Sequence, residues 1–163
     1  MNEQMITVLG LGNILMRDEG IGVYIANLLN KNYRFEPEIE IIDGGTTGTD
    51  LLPYFDNGKK VLIIDAVNFE KYPGYIETIK NKDILATITA KISMHHLGLS
   101  DILSVINLLD IHPAEICLVG VQPASMELGL DVSDEIKNLS GKILISVLTI
   151  LGTWGIKNVI VQT

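Results

Sequence analysis

The sequence predicts an α/β sandwich in which helices cover a largely parallel sheet. Short apolar runs alternate along the chain with longer segments of helical periodicity, which is the order that βαβ units produce. Most of the apolar runs are continuous rather than alternating, as expected for strands that are buried on both faces of a parallel sheet. The chain has 163 residues, 47% of them hydrophobic, so residues 1–163 are interpreted as a single domain with a sizeable core.

The individual elements follow from these two patterns. Continuous apolar runs predict five strands, at residues 6–9, 39–42, 61–64, 75–79 and 116–121. The fourth run follows Pro73 and Gly74 and carries the charged residues Glu77 and Lys80, so it is predicted to be an exposed edge strand. Apolar residues at helical spacing predict helices at residues 19–30, 49–55, 97–109 and 132–151.

Charge, cysteine content and hydropathy exclude several classes of protein. The chain has 12 Lys and Arg residues against 20 Asp and Glu, a net charge of −8, which argues against nucleic acid or an anionic membrane as a partner. Cys117 is the only cysteine, so an internal disulfide or a CxxC-type metal site is excluded. No secretory leader is visible, and the apolar stretch at 143–151 is shorter than the roughly 20 residues that span a bilayer. We expect a cytoplasmic, soluble monomer.

A glycine-rich loop, GLGNILMRDEGIG at residues 10–22, follows the first predicted strand. Its start resembles a dinucleotide-binding turn, but Leu15 stands where the third glycine of that fingerprint is required. The next helix also begins late, near Glu19, so a phosphate could not sit at its N-terminus in the usual way. Asp18 and Glu19 are either acids that favour the start of a helix or functional acids at the edge of the sheet.

Acidic residues also follow the second and third predicted strands. Asp43, Gly44, Gly45 and Thr46 begin the sequence DGGTTG, whose glycines either allow a ligand or peptide to approach the backbone or form a tight turn. Asp65 ends the run VLIID, where a carboxylate needs water, a charge or a metal as its partner. Functional and structural interpretations of both segments stay open.

A possible set of metal ligands comes from two of these segments and from the segment 91–98, which is predicted to follow the fourth strand. Glu19, Asp65 and His95 fall at the ends of elements that an α/β sheet gathers at one edge. Two carboxylates and one imidazole, with coordination positions left open, suit a divalent transition metal better than a closed structural site. Alternatively, His95 and His96 belong to a segment that caps the following helix, and His112 is interpreted as a surface residue.

Five motifs together resemble those of the hydrogenase maturation proteases, the endopeptidases that process the large subunit of nickel–iron hydrogenases. The motifs are GLGNILMRDEGIG at 10–22, DGGTTG at 43–48, IIDAV at 63–67, KISMHHLG at 91–98 and LVGVQP at 118–123. They occur in family order at family-like spacing and are specific as a set. The resemblance implies a three-layer α/β/α sandwich around a twisted sheet. It also implies that the protein cleaves a C-terminal extension from the large-subunit precursor after nickel has been inserted.

The same resemblance implies a role for each site residue. Glu19, Asp65 and His95 match the family's metal-recognising residues, and the nickel is expected to arrive in the precursor. The loop that contains Gly44, Gly45 and Thr46 is expected to bind the precursor's tail.

The chemistry of the cleavage stays open at this point. Either the metal polarises the scissile carbonyl or a water, or Asp43 or Asp65 acts as the base on water. The family is grouped with aspartic-type peptidases, but this chain has no DTG-like pair of loops. Many members have Gln after the histidine, where this chain has His96. Two other functions stay open: a nickel-binding chaperone without enzymatic activity, and a nucleotide-dependent α/β enzyme.

Overall fold

A five-stranded sheet forms the centre of the structure, a computed structural model that describes residues 5–90 and 97–161. The strands of the described chain are β1 (Ile6–Leu11), β2 (Tyr33–Glu36), β3 (Glu40–Gly45), β4 (Lys60–Ala66), β5 (Ile76–Lys80), β6 (Glu115–Val121) and β7 (Lys157–Ile160). The central sheet has the order β3-β1-β4-β6-β5, in which β5 is antiparallel to β6 and the other neighbours are parallel. All five predicted strands are confirmed, and the fourth lies at an edge as predicted.

Two short strands are additions to the prediction. β2 and β7 form a separate antiparallel pair that joins residues more than a hundred positions apart in the chain. β7 is exposed along its whole length, and β2 alternates between half-buried and exposed residues. Neither strand therefore contains the continuous apolar run by which the other five were recognised.

Helices cover both faces of the central sheet. In the described residues, the α-helices are α1 (Ile21–Asn32), α2 (Lys82–Ala90), α3 (Leu97–Leu108) and α4 (Asp134–Thr153), and 3-10 helices span Arg17–Gly20 and Thr49–Phe55. Three predicted helices correspond to α1, α3 and α4, and the one predicted at 49–55 is a 3-10 helix. α2 was not predicted. Because α2 intervenes, the segment 91–98 follows a helix, and the prediction that it directly follows the fourth strand was wrong.

The side chains of the sheet alternate between two apolar cores. On β4, Leu62 and Ile64 lie in a core that α1 and α4 complete, whereas Val61 and Ile63 lie in a core with α2, α3 and the 3-10 helix Thr49–Phe55. All four side chains are fully buried. Strands with both faces covered in this way need apolar residues at every position, which explains the continuous runs. The predicted three-layer α/β/α sandwich is confirmed.

α4 is the longest helix of the described chain. By length and composition alone, its 20 residues are long and apolar enough to cross a membrane. The sequence analysis considered only the stretch 143–151, which is too short to do so. Ile136, Ile143, Val147 and Leu151 form a fully buried stripe that packs in the same core as α1. This stripe accounts for part of the apolar composition of α4, because a helix that covers a sheet buries one face.

Candidate active site

A small pocket of about 70 Å³ lies at the carboxyl ends of the parallel strands. Its lining residues come from the ends of β1, β3 and β4, from the segments that follow β1 and β3, including the 3-10 helix Thr49–Phe55, and from the first turns of α3: Leu11, Gly12, Glu19, Gly45, Thr46, Thr47, Leu51, Asp65, Gly98, Leu99 and Ile102. Ligands of open α/β sheets bind at this edge, because here the loops of neighbouring strands converge. The pocket is therefore the candidate active site.

Two of the three predicted metal ligands line this pocket. Glu19 and Asp65 are both buried, and each has a polar partner. The third, His95, lies outside the described residues, so its position stays a prediction. Within residues 5–90 and 97–161, no three His, Cys, Asp or Glu side chains form a group that could hold a metal ion. The described part of the site therefore provides two carboxylates, one from the loop after β1 and one from β4.

Glu19 is held in place by the glycine loop after β1. Gly12 has a φ of 127°, and a Cβ atom at this position would lie 1.7 Å from the carbonyl oxygen of Glu19. Only glycine permits this conformation and this close approach. The N–H of Gly12 also donates a hydrogen bond of 2.9 Å to the carbonyl of Gly45, which joins the loops after β1 and β3 at the pocket. The space at Gly12 is thus occupied by the protein's own backbone, whereas a dinucleotide-binding turn would leave it to a phosphate.

Asp65 is placed by the pleat of β4. It lies on the same face of the sheet as Ile63, because alternate residues of a strand point the same way, and this face is covered by α3. Its Oδ1 atom accepts a hydrogen bond of 2.8 Å from the N–H of Ala66. The bond fixes the carboxylate at the point where β4 ends and the pocket begins.

The four residues Asp43, Gly44, Gly45 and Thr46 have different surroundings. Gly45 and Thr46 line the pocket. Gly44 is buried beneath them, and a Cβ there would lie 2.7 Å from Leu11 Cδ2. Asp43 is exposed, does not line the pocket, and accepts a hydrogen bond of 3.1 Å from the N–H of Gly45 through Oδ1. The DGGTTG segment therefore forms the tight turn that was one of its two interpretations; the other was close approach of a ligand or peptide to the backbone.

Asp18, the neighbour of Glu19, was not recognised as a site residue. Its side chain is fully buried, and its carboxylate accepts hydrogen bonds from the N–H groups of Ala124, Ser125 and Ser133 and from the hydroxyl of Ser133, at 2.7–2.9 Å. These bonds tie the 3-10 helix that carries Glu19 to the segment before α4. Because these partners are more than a hundred residues away in the chain, the sequence offered only one sign of this role for Asp18, the pair of adjacent acids Asp18 and Glu19.

Comparisons with known proteins agree with this fold. The family model described as hydrogenase maturation protease (HycI) matches residues 23–150. The Hydrogenase 2 maturation protease of Escherichia coli K12 is 37% identical over 153 residues, which cover 93% of this chain and 93% of the relative. The chain belongs to the hydrogenase maturation protease family.

Further maturation proteases and related proteins show the same relationship. A hydrogenase expression/formation protein HupM of Azotobacter chroococcum is 37% identical over 123 residues, which cover 75% of this chain but 59% of the relative. The solved structure of the hydrogenase maturating endopeptidase HybD from E. coli superposes with a TM-score of 0.88 at 36% identity, covering 96% of this chain and 97% of that one. The NiFe hydrogenase maturation protease HybD from Thermococcus kodakarensis superposes with a TM-score of 0.72 at 26% identity, covering 90% and 98%.

Membership in the hydrogenase maturation proteases confirms the family and the fold that the motifs predicted. It also gives the enzyme class, because the members are peptidases and thus hydrolases of peptide bonds. The predicted roles of Glu19, Asp65, His95 and the DGGTTG loop are not tested by these comparisons and stay predictions.

Proposed function

We propose that this chain is a cytoplasmic endopeptidase that removes a C-terminal extension from the nickel-loaded precursor of a nickel–iron hydrogenase large subunit. The observation that supports the proposal is the pocket with Glu19 and Asp65 at the carboxyl ends of the strands, in a chain of the hydrogenase maturation protease family.

Nickel in this proposal belongs to the substrate. Glu19 and Asp65, with His95, are the residues that would contact the precursor's nickel. Two carboxylates and an imidazole are donor types that nickel accepts, and they leave positions for ligands from the precursor. When bound there, the metal supplies the Lewis acidity that polarises a carbonyl or a water. A precursor without nickel would lack these contacts, which explains how cleavage could wait for metal insertion.

Asp65 is the better placed of the two candidate bases. It lines the pocket, and its Oδ1 is oriented by the Ala66 N–H, whereas Asp43 is exposed and outside the lining. In the proposed reaction, Asp65 accepts a proton from a water as the water oxygen attacks the scissile carbonyl carbon. The proton then passes to the leaving amide nitrogen as the C–N bond breaks. The products are the mature large subunit, with a new C-terminal carboxylate, and the free tail.

The experiment is incubation with purified large-subunit precursor, loaded with nickel or free of it, followed by mass measurement. We expect the nickel-loaded precursor to lose the mass of its tail and the nickel-free precursor to stay intact. Asp65→Asn serves as the inactive control. A precursor that binds the chain but keeps its full mass would contradict the proposed cleavage and favour the nickel-binding chaperone. Cleavage of both precursors at one rate would contradict the role of nickel.

A further inference from the structure

Four exposed aliphatic side chains lie on two loops beside the active-site pocket. Ile14 and Leu15 follow β1, and Leu128 and Leu130 follow β6. They are between 52% and 81% exposed and make up four of the eleven exposed large hydrophobic residues in the described part of the chain. We name these four residues the apolar shelf. Isolated exposed hydrophobic residues are common on protein surfaces, but a group of them on adjoining loops is typical of a protein-binding surface.

The shelf is held rigidly, because its two loops are hydrogen-bonded to each other. Met16 and Gly129 form a parallel β-bridge, in which the N–H of Arg17 donates to the Gly129 carbonyl at 3.1 Å and the N–H of Gly129 donates to the Leu15 carbonyl at 2.9 Å. Next to the first segment, the buried carboxylate of Asp18 accepts hydrogen bonds from the N–H groups of Ala124, Ser125 and Ser133, which flank the second segment. A surface ordered before binding loses little conformational entropy when a partner docks.

The shelf is continuous with the active-site pocket through one loop. Gly12 and Glu19 of the loop after β1 line the pocket, whereas Ile14 and Arg17 of the same loop line a neighbouring cleft of about 230 Å³ together with Leu130. A protein whose tail reaches Glu19 therefore lies within reach of the shelf on this same loop. The small pocket itself can contact only the tail and the group beside it.

We propose that the apolar shelf is the docking surface for the folded body of the precursor, through an apolar patch next to the root of its tail. The proposal rests on the proposed function, since it assigns a second contact to the same substrate. A remote contact of this kind binds substrate and transition state equally, so its loss weakens binding and leaves the chemical step unchanged. The shelf thus contributes to KM and not to kcat.

The test replaces the two most exposed shelf residues in the double variant Leu128→Ser/Leu130→Ser. Its matched control is Leu108→Ser/Leu109→Ser, which removes two leucines that are 83% and 59% exposed at the other end of α3 from the pocket. With nickel-loaded precursor, we expect KM to rise about tenfold or more in the shelf variant, at unchanged kcat, as for the loss of central apolar contacts in an interface. We expect the control to keep both constants.

Binding is measured separately from cleavage, with Asp65→Asn as background and the intact precursor as ligand. Weaker binding of the shelf variant supports the shelf as a docking surface. If the wild type also releases no tail from the precursor, only the proposed cleavage has failed. Equal binding and equal KM in the shelf variant and its control would overturn the docking proposal while leaving cleavage in place. Sedimentation gives a further outcome: a wild-type dimer that the shelf variant converts to monomers would assign the shelf to a second copy of the chain and overturn the proposal.

Discussion

Adjacent acids in the loop after β1 have different surroundings although they are chemically alike. Glu19 lines the pocket, whereas the Asp18 carboxylate is buried among backbone N–H groups of the segment before α4. A buried carboxylate is tolerated when several donors surround it, because these bonds replace the lost hydration. Asp18 therefore stabilises the loop that holds Glu19, and its effect on the reaction is one of positioning.

Asp18→Asn should lower the free energy of unfolding by about 2 kcal/mol or more, because an amide NH2 group would face backbone donors and leave them unpaired. The measurement is the urea midpoint of the purified variant. Ser133→Ala is the matched control, since it removes one hydroxyl bond to Asp18 and one helix cap, and should cost about 1 kcal/mol. Equal stability of Asp18→Asn and the wild type would contradict the role given to these bonds.

Asp65→Asn should reduce the rate of tail release by about a hundredfold or more, as for the loss of a general base. Asp43→Asn should stay within about threefold of the wild type, since the Asp43 carboxylate lies outside the pocket and an Asn side-chain oxygen can accept the same bond from Gly45. Mass measurement of the precursor over time gives both rates. If Asp43→Asn is the slower variant, the two assignments must be exchanged.

At the scale of elements, the turn after β3 brings the DGGTTG sequence to the pocket. Gly45 has a φ of 48°, in the left-handed region, while a Cβ there would meet only Asp43 Oδ1 at 3.8 Å. A side chain therefore has space at Gly45, and what favours glycine there is the left-handed backbone conformation. At Gly44 the constraint is steric, because Leu11 Cδ2 occupies the space. The two neighbouring glycines should therefore respond differently to substitution.

Gly45→Val should slow tail release and cost about 1–2 kcal/mol of stability, because a β-branched residue is strained at positive φ. Gly45→Asn is the matched control, since Asn tolerates the left-handed conformation, and it should retain the wild-type thermal midpoint. Tail release and midpoint are measured on the same preparations. Normal cleavage by Gly45→Val would show that the turn only connects two elements and does not seat the tail.

At the scale of the whole molecule, burial of the sheet between two helical layers controls the chemistry of its one cysteine. Cys117 lies in the middle strand pair of the sheet and is fully buried. Burial, together with the nearby Glu115 carboxylate, raises the pKa of the Cys117 thiol to about 12 from an ordinary value of 9.0. The thiol therefore stays protonated in the folded protein up to high pH, and Cys117 is a structural residue and not a nucleophile.

Because the thiol loses its proton near pH 9 in the unfolded chain and only near pH 12 in the folded one, its contribution to stability is complete below pH 9 and is lost as the pH rises from 9 to 12. We expect the urea midpoint of the wild type to fall more between pH 8 and pH 11 than that of Cys117→Ala. The alanine variant starts from a lower stability but lacks this titration. Parallel pH curves for the two proteins would show that burial does not raise the pKa of this thiol.

Sequence patterns by themselves determined the α/β class, the five strands of the central sheet, three α-helices and the protein family. These features are local, since strands buried on both faces need continuous apolar runs, and the family motifs lie in the loops that follow the strands. β2, β7 and α2, which the sequence patterns did not predict, show the limit of this method. β2 and β7 are too short and exposed to produce an apolar run, and only their pairing across the chain makes them strands.

Only the tertiary structure decided which of the acids in the motifs meet in one pocket. The sequence treated Asp43 and Asp65 as equal candidates for the base, but Asp65, near the end of β4, lines the pocket, whereas Asp43, near the end of β3, is exposed and does not line it. It also left Asp18 open between a helix-start acid and a functional acid, whereas its carboxylate binds groups beyond residue 120. The physical reason is that local periodicity fixes a residue's face within its own element, whereas its partners depend on how distant elements pack.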